Sequence, residues 1–151
     1  MAISAEEVKK LRDATGVSIM ECKQALEEAS GDMDKALAIL RERSASIVAK
    51  KSDREFGAGA VAAYVHTNAQ VGALVLLSCE TDFVSKNEAF TALGRDIAMH
   101  ITAMRPENIE ALLAESFIKD PSKTIRDLLS AATQKFGERI EISQMSCFSV
   151  V

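Results

Sequence analysis

This chain of 151 residues has three cysteines, two histidines and no surplus of positive charge, with 18 basic side chains against 22 acidic ones. Each shortage excludes something. Cys22, Cys79 and Cys147 are odd in number and far apart, so they offer neither a disulfide framework nor the paired spacing of a metal site. Free thiols in a reducing compartment are the expectation. A formal net charge of -4 and a pI near 5.3 leave no basic face to neutralise phosphates, which argues against direct nucleic-acid binding. No run approaches the ~20 uninterrupted apolar residues that span a bilayer. The first residues reach a helix cap without a basic or apolar leader, so a cytoplasmic protein with no membrane partner is expected. His66 falls on a strand, and His100 lies within the apolar stripe of Leu93, Ile97 and Met104, the setting of a core histidine. Gly57-Ala58-Gly59 precedes a strand rather than a helix, so it is not a phosphate-cradling loop. The pairs Glu6-Glu7 and Glu27-Glu28 fall on solvated helix faces. With no nucleophile–base pair and no metal cluster, no enzyme, cofactor or metal site is expected. A small α+β hydrolase or transferase is the weakest of the readings.

Apolar residues make up 48% of the chain, enough for a packed core. The length suits one compact domain or two small ones. Three short helices are expected within residues 4–43. Ser4 with Glu7 and Ser18 with Glu21 form capping boxes, and Gly16 and Gly31 offer stops. Apolar stripes run through Val8 and Leu11, through Cys22, Leu26 and Ala29, and through Met33, Ala36, Leu37 and Leu40. The mixed-charge stretch 44–57 reads either as a helical extension or as a linker. A domain boundary near Lys51 separates residues 1–51 from an α+β unit, residues 52–151. In the second unit, strands at Ala60–Thr67 and Val71–Cys79 form an antiparallel hairpin. The second is apolar on both faces and therefore central. Ser85 with Glu88 reads as a third capping box opening a helix to Met104. Residues 107–117 are weakly helical, Asp120-Pro121-Ser122 marks a turn, and Ile125 to Phe136 is a helix closed by Gly137. A last strand, Arg139 to Val150, shifts phase between Ile142 and Phe148, which suggests a bulge. The fold class is α+β: three N-terminal helices, then a small antiparallel sheet packed with helices.

Between the central strand and its following helix lies Cys79-Glu80-Thr81-Asp82-Phe83-Val84-Ser85-Lys86-Asn87-Glu88. Rigid junctions of this kind carry binding chemistry. Two arrangements fit. In one, Thr81 or Asp82 satisfies free amides while Phe83 and Val84 pack inward. In the other, Phe83 points outward beside Asp82 as an anchor for a partner's pocket.

Three blocks resemble bacterial elongation factor Ts, the guanine-nucleotide exchange factor of elongation factor Tu. The first is Val8 to Gly16 with Met20-Glu21-Cys22-Lys23-Gln24-Ala25-Leu26; it is similar to the family's leading three-helix domain of ubiquitin-associated-like shape. The second runs from Tyr64-Val65-His66 through Val71-Gly72 and Cys79-Glu80-Thr81-Asp82-Phe83-Val84 to Asn87 and Phe90. The third is Asp120-Pro121-Ser122-Lys123-Thr124 to Gly137-Glu138-Arg139-Ile140. The resemblance implies a translation factor that binds elongation factor Tu, GDP-bound or nucleotide-free. Arg12, Ile19 and Met20 would contact its G domain. The turn Thr81-Asp82-Phe83-Val84 would enter near its magnesium ion, with Phe83 as wedge and Asp82 disturbing the ion's surroundings, so that GDP leaves and GTP rebinds. The chain departs from the pattern by lacking a long helical insertion and a fuller second core region between Pro106 and Phe117. Its last strand, Glu141 to Phe148, also lacks paired arginines that relatives tend to carry. Some short members pair through their C-terminal region, sometimes with a disulfide, which makes a homodimer near Cys147 an expectation, with the disulfide itself disfavoured in a reducing cytoplasm. An adaptor that binds elongation factor Tu without promoting exchange is the alternative.

Overall fold

A computed structural model of the chain describes residues 2–151. Three helices open it: α1 (Ala5–Thr15), α2 (Ile19–Glu28) and α3 (Met33–Lys50). The Ser4 hydroxyl accepts from the Glu7 amide at 3.2 Å while the Glu7 carboxylate takes the Ser4 amide at 2.8 Å, a complete capping box. That bonding to Ser4 holds the Glu7 carboxyl below the usual carboxylate range. At Ser18 only half the box forms: its hydroxyl accepts from the Glu21 amide but donates to the Glu21 carboxylate, which does not return to the Ser18 amide. The three apolar stripes close on one small core containing Leu11, Cys22, Leu26, Ala36 and Leu40.

The stretch after Ser44 is helical to Lys50. It has no wide apolar face, and a helix that lacks one needs neighbours. They come from α7 (Ile125–Phe136): Ser44 bonds Gln134, and Lys51 Nζ donates to the Gly137 carbonyl at 2.8 Å.

A second core holds an antiparallel sheet of β1 (Ala58–Val65), β2 (Val71–Cys79) and β5 (Glu141–Ser149), in the order β1-β2-β5. Leu76 faces Gln144 but Leu77 faces Ile142, so Ser143 is the extra residue of a bulge. The bulge corrects the phase of β5. It brings Ile142, Met145 and Cys147 to the core side and sends Phe148 to the other. α5 (Glu88–Met104) lies across the core side through Phe90, Ile97 and Ile101. A Cβ at Gly94 would stand 3.0 Å from the Ala62 Cβ, so glycine sets how closely α5 approaches β1. The opposite face of the sheet leaves Val61, Val65, Leu74 and Phe148 exposed.

Two local expectations are corrected. Asn87, not Ser85, caps α5, its side chain accepting from the Ala89 amide at 2.9 Å. Ser85 is taken up by a separate one-turn helix, α4 (Asp82–Ser85). Asp120-Pro121-Ser122 is not the turn itself. After α6 (Ile109–Ala114), β3 (Ser116–Phe117) and β4 (Asp120–Thr124) form a hairpin whose loop is Ile118-Lys119. Pro121 is tolerated in this two-stranded edge. His100 is fully buried. The Ile118 amide donates to its Nδ1 at 3.3 Å, which leaves Nε2–H facing Glu115 at 3.4 Å. Among the described residues no helix is long and apolar enough to cross a membrane.

Leu77 is fully buried between sheet and α5. Leu77→Ala should cost about 2–5 kcal/mol. Urea unfolding measures it as a lower midpoint at unchanged slope; an unshifted midpoint would contradict the packing.

Candidate functional site

β2 leaves the core at Cys79 and the chain must reverse before α5. Glu80 exits half-buried, Thr81 is extended (φ -127°, ψ 157°), and α4 then makes a single turn closed by the Lys86 amide on the Asp82 carbonyl at 3.0 Å. Successive side chains on a helix point ~100° apart. Val84 therefore covers the core while Phe83 stands outside, 86% exposed, with Thr81 and Asp82 exposed beside it. Leaving a phenylalanine in water forgoes ~1.5–3 kcal/mol of burial, so its position is a surface feature needing an account. Asp82 pairs with Lys86 at 3.3 Å, an exposed contact that is easily given up.

The turn is braced from below. Thr81 makes no side-chain cap to α4. Instead Glu138 Oε1 accepts from the Glu80 and Thr81 amides at 3.1 and 2.9 Å, and Oε2 accepts from the Thr81 hydroxyl at 2.6 Å. The bonding is reciprocal: the Glu80 carboxylate accepts from the Arg139 amide at 2.5 Å and pairs with Arg54 at 3.4 Å. The Arg139 guanidinium lies 4.2 Å from the Phe56 ring centre and donates to the Arg54 carbonyl at 2.6 Å. Gly57 completes the fit, since a Cβ there would sit 2.7 Å from the Glu80 carbonyl oxygen. No periodicity marks Glu138, Arg139 or Arg54 as neighbours of Thr81; the sequence signals nearby are the stop at Gly137 and the third block of resemblance, and neither pairs them with the turn. Burial, and next the Glu138 carboxylate, push the Cys79 thiol up, which keeps it protonated and a poor nucleophile.

A second exposed patch lies on the N-terminal helices. Arg12 on α1 and Ile19 at the start of α2 line one groove of about 510 Å³ with Ile3, Val8, Lys9 and Lys23, and Met20 stands exposed at the next position. The two patches belong to separate cores and are joined through α7. Gln134 donates to Glu21 at 3.1 Å, and Glu138 follows that helix. Among the described residues no group of three or more His, Cys, Asp and Glu side chains is placed to hold a metal ion.

The family model described as Elongation factor TS matches residues 80–150. An elongation factor Ts of Leptospira biflexa serovar Patoc is 40% identical, covering 99% of this chain and 98% of its own length. That alignment runs over 195 positions against the 151 residues here, so at least 44 of them face gaps in this chain. One from Thermosipho melanesiensis is 38% identical over 98% of each chain. One from Chloroherpeton thalassium is 46% identical over 95% of this chain but only 50% of its own.

The geometry separates Phe83 from its neighbour. Phe83→Ala should leave stability within about 0.5 kcal/mol, whereas Val84→Ala should cost about 0.5–3 kcal/mol. Thermal unfolding of the two variants reads the difference, and equal losses would contradict the outward placement.

Proposed function

The chain belongs to the elongation factor Ts family, and we propose that it acts on elongation factor Tu through the two exposed patches. As a member it is a translation elongation factor that promotes guanine-nucleotide exchange. The observation that carries our reading of the site is Phe83. It is a bare aromatic on a braced one-turn helix, within the segment where the family match begins. Exposed aromatics on rigid supports serve as anchors because little freedom is lost when they dock. In this reading Phe83 wedges into the G domain and Asp82 perturbs the surroundings of the bound magnesium, with Thr81 and Val84 shaping the turn. Arg12, Ile19 and Met20 supply a second grip from the groove of α1 and α2. Magnesium bridges nucleotide phosphates to protein oxygens, so disturbing it weakens nucleotide binding.

No bond is made or broken by this chain, and it acts in the cytoplasm as a binding protein, not an enzyme. Linkage sets the energetics: whatever factor it takes from GDP affinity, GDP takes from its own. Couplings are ordinarily ~1–3 kcal/mol. Residues 1–51 and 52–151 act as two units, one gripping and one displacing. The adaptor reading is not favoured, because it leaves the exposed wedge without work. Stopped-flow release of a fluorescent GDP from elongation factor Tu should accelerate with the concentration of this chain. Phe83→Ala should abolish the acceleration, and Arg12→Ala should raise the concentration needed for it. A stable complex with unaltered GDP release would transfer the case to the adaptor.

The open face of the sheet supports a homodimer. Val61, Val65, Leu74 and Phe148 form an apolar patch that a second copy can cover isologously. Cys147 faces the other way, its thiol toward the Ile101 carbonyl, so this dimer needs no disulfide. Sedimentation should give a dimer with or without reductant and a monomer for Phe148→Glu; a monomeric wild type would remove the proposal.

A further inference from the structure

We propose that Glu138 is the positioning residue of the exchange turn, holding Thr81, and through it Phe83, in the orientation presented to the GTPase. The inference rests on the exchange reading above, but the geometry behind it is independent. A helix of one turn has no stability of its own and leaves its first amides without partners. α4 is such a helix, and Thr81 does not cap it. The Thr81 hydroxyl is instead turned toward Glu138, and at 2.6 Å it has the length of a charge-assisted bond. With the Glu80 and Thr81 amides, one carboxylate takes three donors from two consecutive residues. The carboxylate is itself anchored. It follows the left-handed stop at Gly137, at the end of a twelve-residue helix whose Ile125 and Leu129 are buried in the core. Binding groups that must be precise are held by a second tier of contacts on rigid elements. Glu138 touches no partner in this account; it acts through Thr81.

The two oxygens predict a graded response. Glutamine keeps an oxygen where Oε1 receives both amides, and its amino group faces the Thr81 hydroxyl, which can accept instead of donating. Alanine removes all three bonds. In saturation curves of GDP release from elongation factor Tu, Glu138→Ala should lower the plateau rate about tenfold, the scale of one lost hydrogen bond to a charged group. The half-saturating concentration should move much less, because the grip of Arg12, Ile19 and Met20 is untouched. Glu138→Gln should retain most of the plateau. In the chain alone, hydrogen exchange at the Glu80 and Thr81 amides should accelerate in Glu138→Ala. Thr81→Val should lower the plateau in the wild type and add nothing in Glu138→Ala, a non-additivity that general loss of structure does not produce. If Glu138→Ala does not fold, Glu138→Gln and Thr81→Val carry the test: a Thr81→Val plateau equal to wild type overturns the proposal. So does a folded Glu138→Ala with wild-type plateau or unaltered amide exchange, in which case the exchange reading stands. A wild type that fails to accelerate GDP release sinks the exchange role instead, and amide exchange alone then decides whether Glu138 anchors the turn.

Discussion

The packing of α5 across β2 is the contact on which the rest of the molecule depends. β2 is the central strand, and its inward residues Ala73, Val75 and Leu77 need a cover. α5 supplies it with Phe90, Ile97 and Ile101, and Phe90 meets Phe136 of α7 edge-on at 6.4 Å. To lay α5 on that face, the chain must reverse between Cys79 and Glu88. Only Val84 in that reversal is needed to seal the core, and the same geometry expels Phe83. The exposed aromatic is thus a by-product of a tight reversal, made durable by the bonds beneath it.

Much of this was legible in the residues because it is local or periodic. The Ser4 box, the stop at Gly16, the two-faced apolar run of β2 and the altered phase of β5 all lie within a few positions of their cause. What escaped depends on partners far along the chain. The helical continuation of α3 rests on α7, some ninety positions away. Ser85 and Glu88 have the spacing of a capping box for α5, but a separate one-turn helix, which carries no periodic signature, takes up Ser85. Asp120 and Pro121 have the composition of a turn, yet the hairpin places them on its returning strand. The sequence left Phe83 free to face inward or outward, and the structure places it outside. Glu138 lies in the third block of resemblance, but nothing there pairs it with Thr81, since its three donors lie 57 and 58 residues away.

The family frame and the physical frame meet at economy of size. Relatives aligned end to end carry at least 44 positions that this chain lacks. The central strand, its covering helix, the reversal and the brace at Glu138 are nonetheless all present. Exchange is a matter of differential affinity. The wedge and the grip proposed here are each built on one of two small cores.

α7 touches α2 and α3 at Gln134 and hands over to Glu138 four residues later. The helix ends at Phe136, and Gly137, in the left-handed region, turns the chain so that Glu138 leaves the helix toward the reversal. The helix therefore works like the beam of a caliper, with the patch of Arg12, Ile19 and Met20 on one jaw and the Phe83 turn on the other. A single residue gained or lost between Gln134 and Phe136, inside the helix, would rotate the stop and the Glu138 that follows it by ~100° about the beam. The spacing between the Gln134 and Glu138 side chains thus sets how the Phe83 turn is oriented against the patch of Arg12, Ile19 and Met20.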